Sequence, residues 1–559
     1  NAKREAGVDP GRAADMSTVP EGQAAVDSGS ALQLPSGAAA LAPAHDAWAQ
    51  DVLQHFSGAA LPTPLWSDDE IEEEDLQAPA PAADPRGEGY KPIVENPFQD
   101  PLERPLSTFG VDVDSASYSN LRRFVEQMGQ LPPPDAVRVE ELVNAFRYDY
   151  DAPSAGAEHP FDVHVEVADA PWAPEHRLVK IGIQGQRMNQ RQRPDANLVF
   201  LIDVSGSMAD ANKLPLVKES LRLLVEELGD GDRVAIVTYA GESGLALEST
   251  PASRRARILS AIDRLEAGGG TNGSGGIQLA YRTAREQYHA GRANRVILLT
   301  DGDFNLGLTG EGELEELIQR EAASGVFLTV LGFGMGNLQD GRLEALADRG
   351  NGQYGYIDGR EEAERLLVSQ LSGTLVTIAK DVKLQLEFNP AQVAAYRLIG
   401  YENRRLQSRD FDDDAKDAGD IGAGHSVTAL YELVLAGRGR PESGLRYQDR
   451  GRAPARPDGG DELFYLKLRY KQPEGDRSRL LEAAVSDRGD RLSQVSADFH
   501  FAAALAAFGM LLRHSEHRGD ADLDLVQDLA DAGLDSPYRA EREAFIALLR
   551  STGRLAQLR

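Results

Sequence analysis

The sequence predicts an α/β protein: a doubly wound, mostly parallel sheet inserted in a flanking β-rich domain, with a helical segment at the C-terminal end. Three observations predict it. Continuous apolar runs at residues 198–202, 234–239 and 296–299 have the pattern of strands covered on both faces. Helical periods alternate with such runs through roughly 180 residues of the middle of the chain. The period then falls to two and finally returns to that of a helix.

The elements follow in order. Residues 1–95 form an acidic tail rich in Ala, Pro, Gly and Ser. Its first 90 residues carry 4 basic and 16 acidic side chains, and the run Asp68, Asp69, Glu70, Glu72, Glu73, Glu74, Asp75 repels itself and stays solvated. Residues 96–190 form an N-terminal element. Thr108, Phe109, Val111 and Val113 alternate as a strand. Ser115 or Ser117 is expected to begin a helix with Leu121, Phe124, Val125 and Met128 on one face. Leu131-Pro132-Pro133-Pro134 ends it, and Asp135 is expected to cap a second helix carrying Val137 to Phe146. Residues 161–167 and 178–183 read as paired strands.

Residues 191–375 form the doubly wound domain. Strands at 198–202, 234–239, 246–249, 296–299, 326–331 and 354–357 alternate with helices at 212–228, 258–265, 277–288, 314–323, 343–347 and 363–371. Residues 376–480 form the β-rich domain: Val382, Leu384, Leu386 and Phe388 alternate, as do 427–434 and 463–470, predicting half-exposed antiparallel strands. These strands are expected to pair with 161–183, so that the doubly wound domain is an insertion. The segment 410–420 reads as a solvated acidic loop. Residues 481–559 carry three helical stretches, and the alanine-rich stretch 501–512 is too short to span a membrane, where roughly 20 apolar residues are needed.

With 59 Lys plus Arg against 89 Asp plus Glu, the net charge is −30, which argues against nucleic-acid binding and against a polybasic membrane patch. The chain has no cysteine, so disulfides, thiolate metal sites and cysteine nucleophiles are excluded. It opens on Asn1. A signal upstream and a lipid anchor are expected, which together with the acidic tail would place the chain at a cell envelope, periplasmic or surface-exposed.

Chemistry concentrates where the first buried strand ends. Asp203-Val204-Ser205-Gly206-Ser207 places one carboxylate and two hydroxyls at alternate positions on a tight turn. The carboxyl ends of strands in a doubly wound sheet are where ligands bind, and hard oxygens on such a turn suit one hard cation. Thr271, in Gly268-Gly269-Gly270-Thr271-Asn272, and Asp301, in Thr300-Asp301-Gly302-Asp303, lie in loops at the same edge. Each residue alone also suits a helix cap or a turn; the three loops together favour the metal site. Asp303 either orients a ligand from behind or serves only the turn.

Asp203-x-Ser205-x-Ser207, Thr271 and Asp301 resemble the metal-ion-dependent adhesion site of von Willebrand factor type A domains, with the resemblance covering about residues 194–372. The flanking elements are similar in arrangement to the bacterial YfbK-like proteins. The resemblance implies that Asp203, Ser205, Ser207 and Thr271 ligate directly or nearly so, and Asp301 directly or through water. The implied ion is Mg²⁺, with Mn²⁺ or Ca²⁺ as substitutes. The implied partner is a protein that offers a Glu or Asp carboxylate to the metal. A non-enzymatic binding protein is therefore expected.

Rival chemistries match less well. A metal-assisted phosphoesterase using the same carboxylates lacks a general base and a second metal set. A structural module with a degenerate site is the other alternative. Asp112-Val113-Asp114 has no strand–helix alternation after it and reads as a strand end and helix caps. Ser205 and Ser207 lack the Gly-x-Ser-x-Gly elbow of a serine hydrolase. His514 and His517 have no further ligands and read as surface residues.

Overall fold

The computed structural model describes residues 88–557, apart from 112–113, 155, 189–192, 271–272, 303–310, 336–337, 371–372, 374, 415, 417, 438–459, 474 and 476. The chain begins with β1 (Leu106–Gly110), α1 (Ala116–Arg122), α2 (Val139–Asn144), β2 (Phe161–Ala170) and β3 (Ala173–Gly185). The doubly wound domain follows: β4 (Ala196–Asp203), α3 (Leu214–Glu227), β5 (Arg233–Tyr239), β6 (Ser243–Pro251), α4 (Arg255–Asp263), α5 (Gly273–Glu286), β7 (Ala293–Thr300), α6 (Glu311–Ala323), β8 (Phe327–Phe333), α7 (Asp340–Arg349), β9 (Tyr354–Ile357) and α8 (Arg360–Glu364). Then come β10 (Thr377–Phe388), β11 (Val393–Ile399), β12 (Arg405–Leu406), β13 (Ile421–Gly422), β14 (Ser426–Leu435), β15 (Glu462–Lys471) and β16 (Ser478–Ser486). Helices α9 (Ala497–Leu512), α10 (Leu523–Ala532) and α11 (Arg539–Gln557) close the chain.

The doubly wound sheet has the order β6-β5-β4-β7-β8-β9, parallel except for β6, which runs antiparallel to β5. Strand β4 is buried on both faces because both faces are covered. Leu198, Phe200 and Ile202 pack with Leu221, Leu224 and Val225 of α3, while Val199 and Leu201 pack with Ile277, Ala280 and Tyr281 of α5. Each fully buried aliphatic or aromatic side chain there contributes roughly 1.5–3 kcal/mol. The connection from β4 leaves toward β5, and β7 lies on the other side. The carboxyl end of β4 therefore sits at the switch in strand order where such sheets open a crevice.

Two antiparallel sheets flank this domain, ordered β12-β1-β10-β15-β16, with β13 also on β10, and β11-β14-β3-β2. They face one another as a sandwich: Phe109, Leu384, Leu386, Phe388 and Leu466 meet Val179, Ile181, Ala429, Tyr431 and Leu433. Phe388 stacks on Tyr396 across it, ring centroids 3.9 Å apart. Strand β3 lies in one sheet and β10 in the other, so the doubly wound domain is inserted between two parts of the sandwich. The C-terminal helices cover the outer face of the second sheet, where Ala168, Ala170, Trp172, Leu178 and Leu430 pack with α2 and with the nearly all-buried α9.

Several expectations are corrected. Strands β10 and β14 are not half-exposed. On β14, Leu430, Thr428 and Glu432 are covered by the helical layer instead of water. On β10, the polar positions are buried too: Lys383 donates to the carbonyl of Asp413 at 2.7 Å, and Gln385 to Thr108 at 2.9 Å. The acidic segment is tied to the sheet accordingly, with Asp412 and Asp414 on the Arg469 guanidinium at 2.9 and 3.0 Å. Asp135 caps no α-helix; α2 begins after Arg138, and the Asp135 carboxylate accepts the Ile93 amide at 3.0 Å. Asp114 does not cap α1 either: it accepts the Tyr354 amide at 2.9 Å and pairs with Arg404. Strands β11 and β16 are additional to those expected. His517 is half-buried, edge-on to Phe98, while His514 is exposed. Asp112 lies outside the described residues.

Candidate functional site

Residues 198–202 form the buried strand that delivers Asp203 to the sheet edge, and Asp203 is fully buried there. Three hydrogen bonds orient its carboxylate. Oδ1 accepts the Ser205 amide at 2.9 Å, and Oδ2 accepts the Tyr239 hydroxyl at 3.1 Å and the Thr300 hydroxyl at 3.3 Å. Tyr239 ends β5 and Thr300 ends β7, the two strands beside β4. The strand tips thus hold the aspartate from both sides.

The turn that follows is held from below. The amide of Val204 donates to the Tyr239 carbonyl at 3.0 Å, and the amides of Gly206 and Gly268 exchange bonds with the Gly269 and Val204 carbonyls at 3.1 and 2.8 Å. The glycine loop 268–270 is therefore stapled to the serine turn. A short 3₁₀ turn, Gly206–Ala209, places the Ser207 hydroxyl 3.0 Å from that of Ser205, with Ser205 buried and Ser207 exposed. Two hydroxyls and the Asp203 carboxylate thus share one turn. Thr271 and Asp303 lie outside the described residues.

Asp301 is fully buried just past β7. Its Oδ2 accepts the Lys213 ammonium at 2.9 Å, and Lys213 is itself buried. Burial pushes the Asp203 carboxyl up to about 6, and the nearby negative charge of Asp301 adds to the rise, while the bonds from Ser205 and Tyr239 oppose it. Two carboxylates in one poorly solvated place call for positive charge. The donors are hard oxygens, which fit a Mg²⁺-like cation better than a soft metal. Among the described residues no group of three or more His, Cys, Asp or Glu is arranged to hold a metal, so hydroxyls would have to complete any ligand set.

The sequence pattern picked out Asp203, Ser205, Ser207 and Asp301, and the structure brings all four to one sheet edge. It missed Tyr239, Thr300 and Lys213. The first two end apolar strands beside β4, a signal that strand order would have supplied. Lys213 lies 88 positions from its partner, and no local periodicity marks it.

The inserted sheet and its edge define a von Willebrand factor type A domain set in a β-sandwich. The family model for the von Willebrand factor type A domain matches residues 197–369, a von Willebrand factor model matches 84–180, and the model described as "Uncharacterized protein YfbK, C-terminal" matches 373–555. The chain is 43% identical to YfbK of Escherichia coli (strain K12) over 472 residues, covering 84% of this chain and 81% of that protein. The chain belongs to the YfbK family. It is also 31% identical to protein sll0103 of a Synechocystis species over 198 residues, covering 35% and 45% of the two chains. Among solved structures, a von Willebrand factor type A protein from Catenulispora acidiphila aligns with 71% of this chain and 91% of its own, at 18% identity and a TM-score of 0.40.

Proposed function

We propose that this chain is a non-enzymatic, divalent-metal-dependent protein-binding protein. Domains of this type mediate protein–protein contacts, which supports the general role. In the finer reading, Asp203, Ser205, Ser207, Thr271 and Asp301 hold Mg²⁺, with Mn²⁺ or Ca²⁺ able to replace it. In the same reading Asp303 orients a ligand from behind or serves only the turn. Two carboxylates balance the dication only in part once one of them is shared with an ammonium. The ion then takes an anionic oxygen from a Glu or Asp of the partner, and the metal bridges two proteins. The bacterial envelope is the proposed location. Among the described residues no helix is long and apolar enough to cross a membrane.

The observation that carries this reading is the orientation of Asp203. Three donors from two neighbouring strands and its own turn fix a buried carboxylate beside a second one and beside paired serine hydroxyls. Affinity capture from the native organism tests it. Proteins retained by the chain in Mg²⁺ should be lost in EDTA and should not be retained by Asp203→Ala. A retained set unchanged by both treatments contradicts the proposal.

A further inference from the structure

We infer that Lys213 is a built-in countercharge of the proposed metal site: it weakens the hold on the cation and leaves the bound cation short of negative charge, so that the cation demands an acidic oxygen from outside. This rests on the metal-site reading above.

The lysine is held in place by more than its ion pair. It precedes α3, its amide donates to the Asp210 carbonyl at 3.0 Å, and its carbonyl accepts the Val217 amide at 2.9 Å. Its side chain runs against Gly334, whose φ is +80°. A Cβ at that glycine would stand 2.5 Å from both Cγ and Cε of the lysine. The lysine stem therefore fills the space a side chain would need, and the ammonium remains at Asp301 without having to be drawn there. Burial of both partners removes the water that would screen them.

Charge then decides the chemistry. Asp203 and Asp301 carry two negative charges, and hydroxyls add none. With Lys213 counted, these three side chains offer a dication only one net negative charge. An ammonium on the ligand carboxylate repels the incoming metal, which weakens binding. The same repulsion leaves a surplus positive charge on the loaded site, which an external carboxylate can neutralise. A chain without this ammonium would hold metal more tightly and need the partner less. One residue thus moves affinity from the ion to the partner.

The experiment uses the full chain and Lys213→Met, which keeps the stem and removes the charge. Isothermal titration with Mg²⁺ should show binding at least about tenfold tighter in the variant, because a charge beside the ion in a poorly solvated site is weakly screened. Acetate is then titrated into the Mn²⁺-loaded proteins, with water-proton relaxation reporting displacement of metal-bound water. The unsubstituted chain should respond at lower acetate concentration than the variant. Gly334→Ala provides a second route, since its methyl unseats the ammonium without changing composition of charge; it should shift both readouts the same way. If the unsubstituted chain binds Mg²⁺ and the variants bind it equally or more weakly, or if acetate acts alike on all, the inference is overturned while the metal site stands. If the unsubstituted chain binds no Mg²⁺, the metal-site reading itself falls and the inference with it.

Discussion

The Tyr239 hydroxyl donates to Asp203 Oδ2 at 3.1 Å, and the two residues are register partners at the tips of adjacent parallel strands. The tyrosine ring is buried in the core under α5, so the hydroxyl reaches the carboxylate from a rigid base. Tyr239→Phe keeps the ring and removes one of three donors. Mg²⁺ affinity should fall about tenfold, as it does when a bond that orients a metal ligand is lost. Stability should change by about 1 kcal/mol. Calorimetric titration and a urea melt of the same sample separate the two effects.

Gly182, in the middle of β3, lies under the ring of Tyr150. A Cβ there would stand 2.3 Å from Cζ of that ring. The ring cannot retreat, because it stacks on Tyr148 and His164 and its hydroxyl is 3.0 Å from Thr428. Gly182→Ala should cost about 1–3 kcal/mol through overpacking, seen as a lower urea midpoint with an unchanged slope.

Arg542 of α11 is fully buried and forms an ion pair with Asp498 at the start of α9. The other oxygen of Asp498 accepts the Asp149 amide at 2.7 Å. Asp498→Ala strands a guanidinium in the helical layer and should cost about 3–5 kcal/mol. The double variant Asp498→Ala plus Arg542→Met should recover most of that loss, because no charge is left buried. A double-mutant cycle by chemical denaturation reads both.

His425 is held neutral. Burial pushes its imidazole down to about 4 from 6.5, and the cations Arg295 and Arg365 push the same way. Its Nδ1 lies 3.1 Å from the Gln353 amide nitrogen. As pH falls from 6.5 toward 4, the unfolded chain takes up this proton and the folded chain does not, so stability falls across that window. The loss approaches about 3 kcal/mol at the lower end. His425→Gln should lack this component. Burial raises the Glu140 and Glu344 carboxyls to about 8, but they titrate in both chains and cancel in the comparison. Equal pH dependence of the two urea midpoints would contradict the assignment.

The parts of the fold that local pattern encodes were legible. Residues 198–202 announce a strand covered on both sides because every side chain in the run is apolar, and β4 is such a strand. The aspartate and serines after it are close in sequence, so their meeting on one turn follows from spacing. What depends on distant partners was not legible. Thr428 and Glu432 look like the wet side of β14, yet Asn144 of α2, Tyr150 and Trp172 cover that side, and Glu432 pairs with Arg397 at 2.8 Å. Asp135 has the look of a cap, but its carboxylate is used by Ile93, 42 positions earlier. Strand β16 was missed because its exposed edge reads as polar, with Arg479 and Glu482 interrupting the apolar residues.

One divalent cation is proposed to bind where β4 and β7 end. The most direct test is isothermal titration of the full chain with Mg²⁺, repeated on Ser205→Ala plus Thr271→Ala. A saturable event with one ion per chain, abolished in the double variant, is the predicted result. Mg²⁺ at about 100 times its dissociation constant should then add about 2.7 kcal/mol to stability. No heat of binding in the unsubstituted chain, or binding that survives loss of both hydroxyls, would contradict it.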